Sequence, residues 1–272
     1  MTDSFWRDPP WGGGKGGYRM GLRPIDLRQW LPDRITDAER TRKQLLLADP
    51  DALVFAALDG SYAGQQKILD AVSGAIGCDV RDGDAAPLVR ASLLVPDDLC
   101  LMERDGDSYR LAAACVCSPS YWMLAQKIGR TLDGIHAPVP TLNDKLSAPM
   151  LQFFARLPEG TVFERRNWLI HTNPEPYQPQ GETWHHVTDT GVEHLIVRSE
   201  RQTLRRLDPQ TVVFSIRVTC HPLKEIVGYF EAARDLLTAL DGLDTAERDA
   251  KGYRYFAPAV TNLLHSVTQE HT

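Results

Sequence analysis

The sequence predicts an α+β fold, an antiparallel sheet with helices on one side. Two β-rich hairpin patterns, over 97–120 and 192–223, and helical patterns before, between and after them carry that prediction. The third observation sets the scale. The chain has 272 residues, 43% hydrophobic and 24% charged, enough for one large domain to bury a core without disulfides or a structural metal.

In chain order, residues 1–18 read as a leader rich in Gly and Pro, either flexible or ordered on contact. Its GGGKGG run is not a P-loop, because no strand precedes it and Lys15 is followed by Gly16 instead of Ser or Thr. Thr36-Asp37-Ala38-Glu39 has capping-box form and opens a helix to about Leu47. Ser61 is placed to cap a second, with Ala63, Ile68, Leu69, Val72 and Ile76 on its apolar side. The first hairpin turns at Asp105-Gly106-Asp107. YWMLAQKIGRTLDG (121–134) reads as a helix stopped by Gly134, IHAPVP (135–140) as a stiff segment, and DKLSAPMLQFFARLP (144–158) as a helix disturbed by Pro149. The second hairpin turns at Asp208-Pro209-Gln210. Helices over about 222–240 and 258–269 finish the chain. The expected organisation is the leader and one domain over 19–272, with helical additions at about 19–85 and 222–270.

Composition excludes several classes. A net charge of -6 gives no basic face for nucleic acid. No apolar run approaches the roughly 18 residues of a membrane helix, and the N-terminus lacks a secretory apolar region. Five cysteines (Cys78, Cys100, Cys115, Cys117, Cys220) are odd and sparse, which suits a reducing cytoplasm. Cys115 and Cys117 read as buried small hydrophobes.

Alternation along the second hairpin separates two faces. Leu195, Val197, Ser199, Arg201 and Thr203 point one way; Ile196, Arg198, Glu200, Gln202 and Leu204 point the other. On the partner run, Val212, Phe214, Ile216 and Val218 are apolar, and Val213, Ser215, Arg217 and Thr219 are mixed. A mixed face is either solvated or lines a polar pocket. Of eight histidines (136, 171, 185, 186, 194, 221, 265, 271), none forms a zinc pattern. His185-His186 reads as a surface loop, and His265 and His271 as exposed. His136 stands beside Ile135 and the Pro138–Pro140 stretch, which holds its ring with little entropy cost. There is no GxSxG elbow, and no carboxylate pair is singled out by spacing. The residues by themselves describe an α+β domain with one polar sheet face and one rigidly held histidine.

Four segments carry a resemblance: RMGLRPIDLRQWL (19–31), YWMLAQKIGRTLDGIHAPVP (121–140), RRNWLIHTNPEPYQPQG (165–181) and VRSERQTLRRLDPQTVVFSIRVTCHPL (197–223). In this order they resemble the haem-dependent oxidative N-demethylase family, over roughly residues 18–265. The resemblance implies a PAS-like sheet enclosing haem b. It implies O2- and NADPH-dependent demethylation of a small secondary amine such as dimethylamine, with release of formaldehyde. Electrons would come from a partner reductase carrying flavin and an iron–sulfur cluster, and tetrahydrofolate is a candidate formaldehyde acceptor. By the same resemblance His136 is the expected iron ligand, with His171 the runner-up. Glu200 would bind the alkylammonium or relay protons. Arg198, Arg201 and Arg205 are candidates for the cofactor, the last two for its propionates. Gln202 and Thr203 would contact substrate or O2, and Trp168 and Tyr177 would wall the pocket. The competing readings are a PAS-type haem sensor without turnover and a small-molecule-binding protein without haem.

Overall fold

Side-chain alternation in the two hairpins builds the middle of a seven-stranded antiparallel sheet. The computed structural model describes residues 2–80, 83–139, 142–180, 191–250 and 253–269. The strands are β1 (Arg23–Ile25), β2 (Phe55–Ala57), β3 (Asp98–Asp105), β4 (Ser108–Cys115), β5 (Val162–His171), β6 (Ile196–Asp208) and β7 (Thr211–Pro222). Their spatial order is β1-β5-β6-β7-β3-β4-β2. Both expected hairpins are present, as β3–β4 and β6–β7. β5 was not expected. Glu164, Arg165, Arg166 and Asn167 interrupt its apolar pattern, so no clean alternation marks it as a strand. It forms because it pairs with β6 along its whole length, from Val162 opposite Arg205 to His171 opposite Ile196.

The helices are α1 (Thr2–Arg7), α2 (Asp37–Ala48), α3 (Tyr62–Ile76), α4 (Pro87–Ser92), α5 (Leu124–Lys127), α6 (Leu132–His136), α7 (Leu142–Arg156), α8 (Phe230–Asp241), α9 (Thr245–Ala250) and α10 (Ala257–Gln269). They cover both faces of the sheet, not one as expected. One face buries Cys100, Met102, Leu204 and Val212 with Leu124, Leu132 and Phe154 of α5–α7. On the other, Leu99, Leu101, Ala113 and Val213 pack with Ile68, Leu69, Val72 and Leu88 of α3 and α4. Further along that second face, Trp168, Ile170 and Val197 pack with α8 and α10. Among the described residues, no helix is long and apolar enough to cross a membrane.

Thr36 caps α2 as its sequence requires, with the Glu39 N–H on its Oγ1 at 3.2 Å and the Glu39 carboxylate on its own N–H at 2.9 Å. Ser61 does not cap α3; its hydroxyl donates to the Leu58 carbonyl at 2.7 Å. The expected 121–134 helix is two pieces. Gly129, at φ +76°, interrupts it, and its N–H donates to Leu111 of β4 at 2.8 Å. Gly134 therefore lies inside α6 and stops nothing, and His136 is the last residue of that helix. At the C-terminal side, 3-10 turns occupy Leu223–Gly228, so α8 starts later than the sequence pattern suggests.

Of the two readings of the leader, the structure takes the ordered one: its aromatics pack into the core. Trp11 is 0% exposed, and its indole N–H donates to the Ala232 carbonyl at 2.9 Å. Trp6 donates to Glu225 at 3.2 Å. Each buried aromatic contributes about 1.5–3 kcal/mol of hydrophobic stabilisation, which offsets the ordering of the segment. The glycines answer to contact, not to phosphate: a Cβ at Gly16 would lie 2.0 Å from the Ala239 carbonyl oxygen of α8, and the Gly13 N–H donates to Asp235 at 2.6 Å.

Candidate functional site

Strand pairing decides which side chains share a face. β5 pairs with β6 so that Arg165 lies opposite Gln202, Asn167 opposite Glu200, and Leu169 opposite Arg198. These residues alternate with Glu164, Arg166 and Trp168, which face the other way with Thr203, Arg201 and Ser199. The first set lies on the face covered by α5–α7.

Glu200 is the centre of that face and only 8% exposed. Its Oε1 accepts from Ser120 Oγ at 2.5 Å, and its Oε2 accepts from Gln202 Nε2 at 2.8 Å and Asn167 Nδ2 at 3.3 Å. Ser120 in turn accepts from Arg198 Nε at 2.7 Å. Arginine has no acceptor, so the direction of the chain is set: Arg198 donates to Ser120, and Ser120 donates to Glu200. A carboxylate offers roughly four lone-pair positions. Three protein donors leave it room for one more, such as an N–H of a cationic amine.

Arg198 is 0% exposed and holds the loop that carries Ser120. Its Nη2 donates to the carbonyls of Ser118, Pro119 and Pro176 at 2.8, 3.1 and 2.8 Å, and its Nη1 to Glu175 at 3.3 Å. Truncating it would leave several buried acceptors without donors. Arg198→Ala is therefore expected to cost about 3–5 kcal/mol in a denaturant unfolding curve; a loss under 1 kcal/mol would contradict this account.

The next residue, Tyr121, has φ +63°, a left-handed conformation that non-glycine residues rarely hold. Its ring stacks on His171 at 4.3 Å between centroids and 10° between planes. His171 is 0% exposed and closes the far end of the face. Six residues along the strand separate it from Arg165, roughly 20 Å at strand rise.

His136 approaches the other end. Its Nδ1 lies 2.8 Å from the Leu132 carbonyl oxygen. A carbonyl only accepts, so Nδ1 carries the proton and the neutral ring keeps its lone pair on Nε2. Burial pushes the imidazole below its ordinary pKa of 6.5; Lys127 and Arg165 act the same way, against the Leu132 carbonyl and Asp133. That is the state in which an imidazole ligates a metal, with its second nitrogen fixed by a carbonyl.

The residues singled out from the sequence thus divide. Glu200, Gln202, Arg198, His136 and His171 belong to this face or its ends. Arg201, Thr203, Arg205 and Trp168 do not, because they point to the opposite side of the sheet. Arg201 is held there by Glu164 at 2.6 Å and by the Gln29 and Trp30 carbonyls at 2.5 and 2.9 Å. It lines a surface cleft of about 380 Å³ with Arg23, Glu164 and Arg166. Thr203 accepts from the Trp30 indole at 3.1 Å, and the Arg205 guanidinium lies 4.6 Å from that ring. Trp168 packs edge-on against Trp11 at 5.3 Å. Tyr177 donates to the Ala52 carbonyl at 2.5 Å and packs beside α3. Cys115 and Cys117 are buried in that same core, where the Cys115 partner and burial push the Cys117 thiol far above its ordinary value. His265 is exposed, as expected. His185, His186 and His271 lie outside the described residues.

Ser120, Asn167 and Arg165 were missed. The signal for the last two was present: read as a strand beside β6, residues 162–171 put Arg165 and Asn167 next to Gln202 and Glu200. The face can offer an imidazole nitrogen to a metal, a carboxylate to a cation and a guanidinium to an anion. Among the described residues no three His, Cys, Asp or Glu side chains converge as a metal cage. A haem would need no such cage, because most of its iron's ligands come with the porphyrin and a single imidazole such as His136 would hold it.

A family model described as haem-dependent oxidative N-demethylase, alpha subunit-like, matches residues 56–261, about three quarters of the chain. Every residue of the Glu200 face described above lies within the matched span. No curated protein matches the sequence.

Proposed function

The chain belongs to the haem-dependent oxidative N-demethylase, alpha subunit-like, family, and from that premise we propose that it demethylates a small secondary amine such as dimethylamine. The overall reaction would take the amine, O2, NADPH and a proton to the demethylated amine, formaldehyde, water and NADP+. One oxygen atom of O2 ends in formaldehyde and the other in water, and NADPH supplies the two electrons. The observation that carries the reading is a carboxylate with a spare acceptor position on the sheet face, Glu200, together with an imidazole whose lone pair is on Nε2 at the end of α6, His136, beside Arg165 of that face.

His136 would hold haem b through Nε2, with His171 the alternative ligand. Haem, when bound, would supply the iron that activates O2. The other parts are played by the chain. Glu200 would receive the alkylammonium N–H and so orient the methyl group. Asn167 and Gln202 keep Oε2 aimed along the face, and Ser120 fixes Oε1. As the alkylammonium must lose its proton before its methyl carbon is oxidised, Glu200 would also take that proton.

The five central strands support a PAS-like reading. By chain order they lie second, first, fifth, fourth, third across the sheet, with α5–α7 between the second and third. The alpha-subunit description implies a multi-subunit enzyme. Flavin, the iron–sulfur cluster and NADPH would belong to a reductase partner, and tetrahydrofolate would take the formaldehyde. The reading places the protein in the cytoplasm, in keeping with five free thiols.

The test is reconstitution. Purified protein given haem is expected to retain it through desalting, with a Soret band. With a surrogate reductant and O2 it is expected to release formaldehyde from dimethylamine. No retained haem would refute the reading; haem without formaldehyde from any secondary amine would leave a binding protein in its place.

A further inference from the structure

Arg165 is the one arginine of β5 and β6 on the Glu200 face with no hydrogen bond or ion pair among the described residues. Arg198 has Ser120 and four carbonyls. Arg206 has the carbonyls of Leu157 and Phe154 and the Tyr109 hydroxyl. Arg165 lies between them on the same face, opposite Gln202. Its Nε is shut off from solvent and has no acceptor among the described residues. Burial disfavours its charge, Glu200 supports it and Arg19 opposes it. Glu200 accepts from Ser120, Gln202 and Asn167, and Arg165 is not among its hydrogen-bond donors. Arg19 is also partly buried, and burial lowers its pKa. Arg165 thus acts on both Arg19 and the His136 ring, and the carboxylate that supports its charge, Glu200, makes no hydrogen bond to it. A buried donor without an acceptor is unfavourable, and charge-assisted bonds to a carboxylate would satisfy it.

We propose that Arg165, assisted by Arg19, is the seat for a carboxylate of the bound cofactor. The inference rests on the haem reading, under which that carboxylate is a porphyrin propionate. It moves the propionate site away from Arg201 and Arg205, which face the other side of the sheet. It also gives the N-terminal segment a part in cofactor binding, since Arg19 lies outside the matched span of 56–261.

The experiment compares iron protoporphyrin IX with its dimethyl ester, which keeps the iron and ring but lacks both carboxylates. Affinities are read from absorbance titration and from transfer to a haem-scavenging protein, with no turnover required. The unaltered protein is expected to prefer the free acid. Arg165→Gln is expected to weaken the free acid by about 10- to 100-fold, the size of a charged hydrogen bond, and to leave the ester within about twofold. Arg165→Lys should recover part of the loss. Equal weakening of both porphyrins would make Arg165 a scaffold residue and overturn the proposal, as would an unaltered protein that does not distinguish the two. Either result would leave the haem reading standing. Failure of the unaltered protein to bind both porphyrins would instead sink the reading and the seat together. If Arg165→Gln does not fold, Arg19→Gln carries the same test, with a smaller loss confined to the free acid expected and a uniform loss or none against it.

Discussion

His136→Ala is expected to lower haem affinity on the order of 100-fold or more, since loss of a shell that only orients such a ligand already costs 10- to 100-fold. The reason is specific to this ring. The Leu132 carbonyl holds Nδ1–H, so the ring cannot turn its lone pair elsewhere without breaking a 2.8 Å bond. The absorption spectrum of the reconstituted protein reads the result: a weakened, shifted Soret band, partly restored by added imidazole. His171→Ala is the control. His171 stacks on Tyr121 at the other end of the face, and its removal is expected to leave the axial-ligand features in place. The reverse outcome, an unchanged spectrum in His136→Ala and a changed one in His171→Ala, would exchange the two assignments.

Glu200→Gln is expected to lower formaldehyde release by about 100-fold or more, the range of a positioned acid–base group, while haem is retained. A secondary amine is cationic at neutral pH, and the variant loses the charge it would meet. The change is also unfavourable locally, because an amide N–H must face the donors Ser120, Asn167 or Gln202. If Glu200 binds the ammonium, KM for the amine rises steeply; if it chiefly moves a proton, kcat falls at saturating amine and its pH profile flattens. Unchanged kcat/KM with a normal Soret band would remove Glu200 from the proposed chemistry.

Much of the fold was legible, and the reasons are local. Both hairpins follow from short-range alternation and turn residues, and α2 from a capping box that works within four residues. β5 was not legible, because four consecutive polar residues hide its period and only pairing with β6 defines it. Whether the leader packs is undecided by its sequence for a similar reason. Its glycine and proline content describes an unattached segment, yet Trp6 and Trp11 find a core made by helices more than two hundred residues later.

The site follows the same division. Period-two alternation puts Glu200 and Gln202 on one face and Arg201 and Thr203 on the other, so a cofactor on one face does not meet all four. Arg205 fails by the same parity. Ser120 lies 80 positions from Glu200, and no spacing rule connects them. His136 was singled out for its proline neighbours, but its usable nitrogen is set by the helix, through the carbonyl four residues earlier.

The sequence by itself determined the α+β class, the two hairpins, the face on which Glu200 lies and the family resemblance. Each of these is written in local period, turn chemistry or motif order. Only the tertiary structure decided that β5 completes the site, that Ser120 and Arg198 hold its carboxylate, and that Arg165 is left without an acceptor. Those depend on which strands become neighbours. That choice is made by burial of the whole sheet between two helical layers, and no short stretch of chain encodes it.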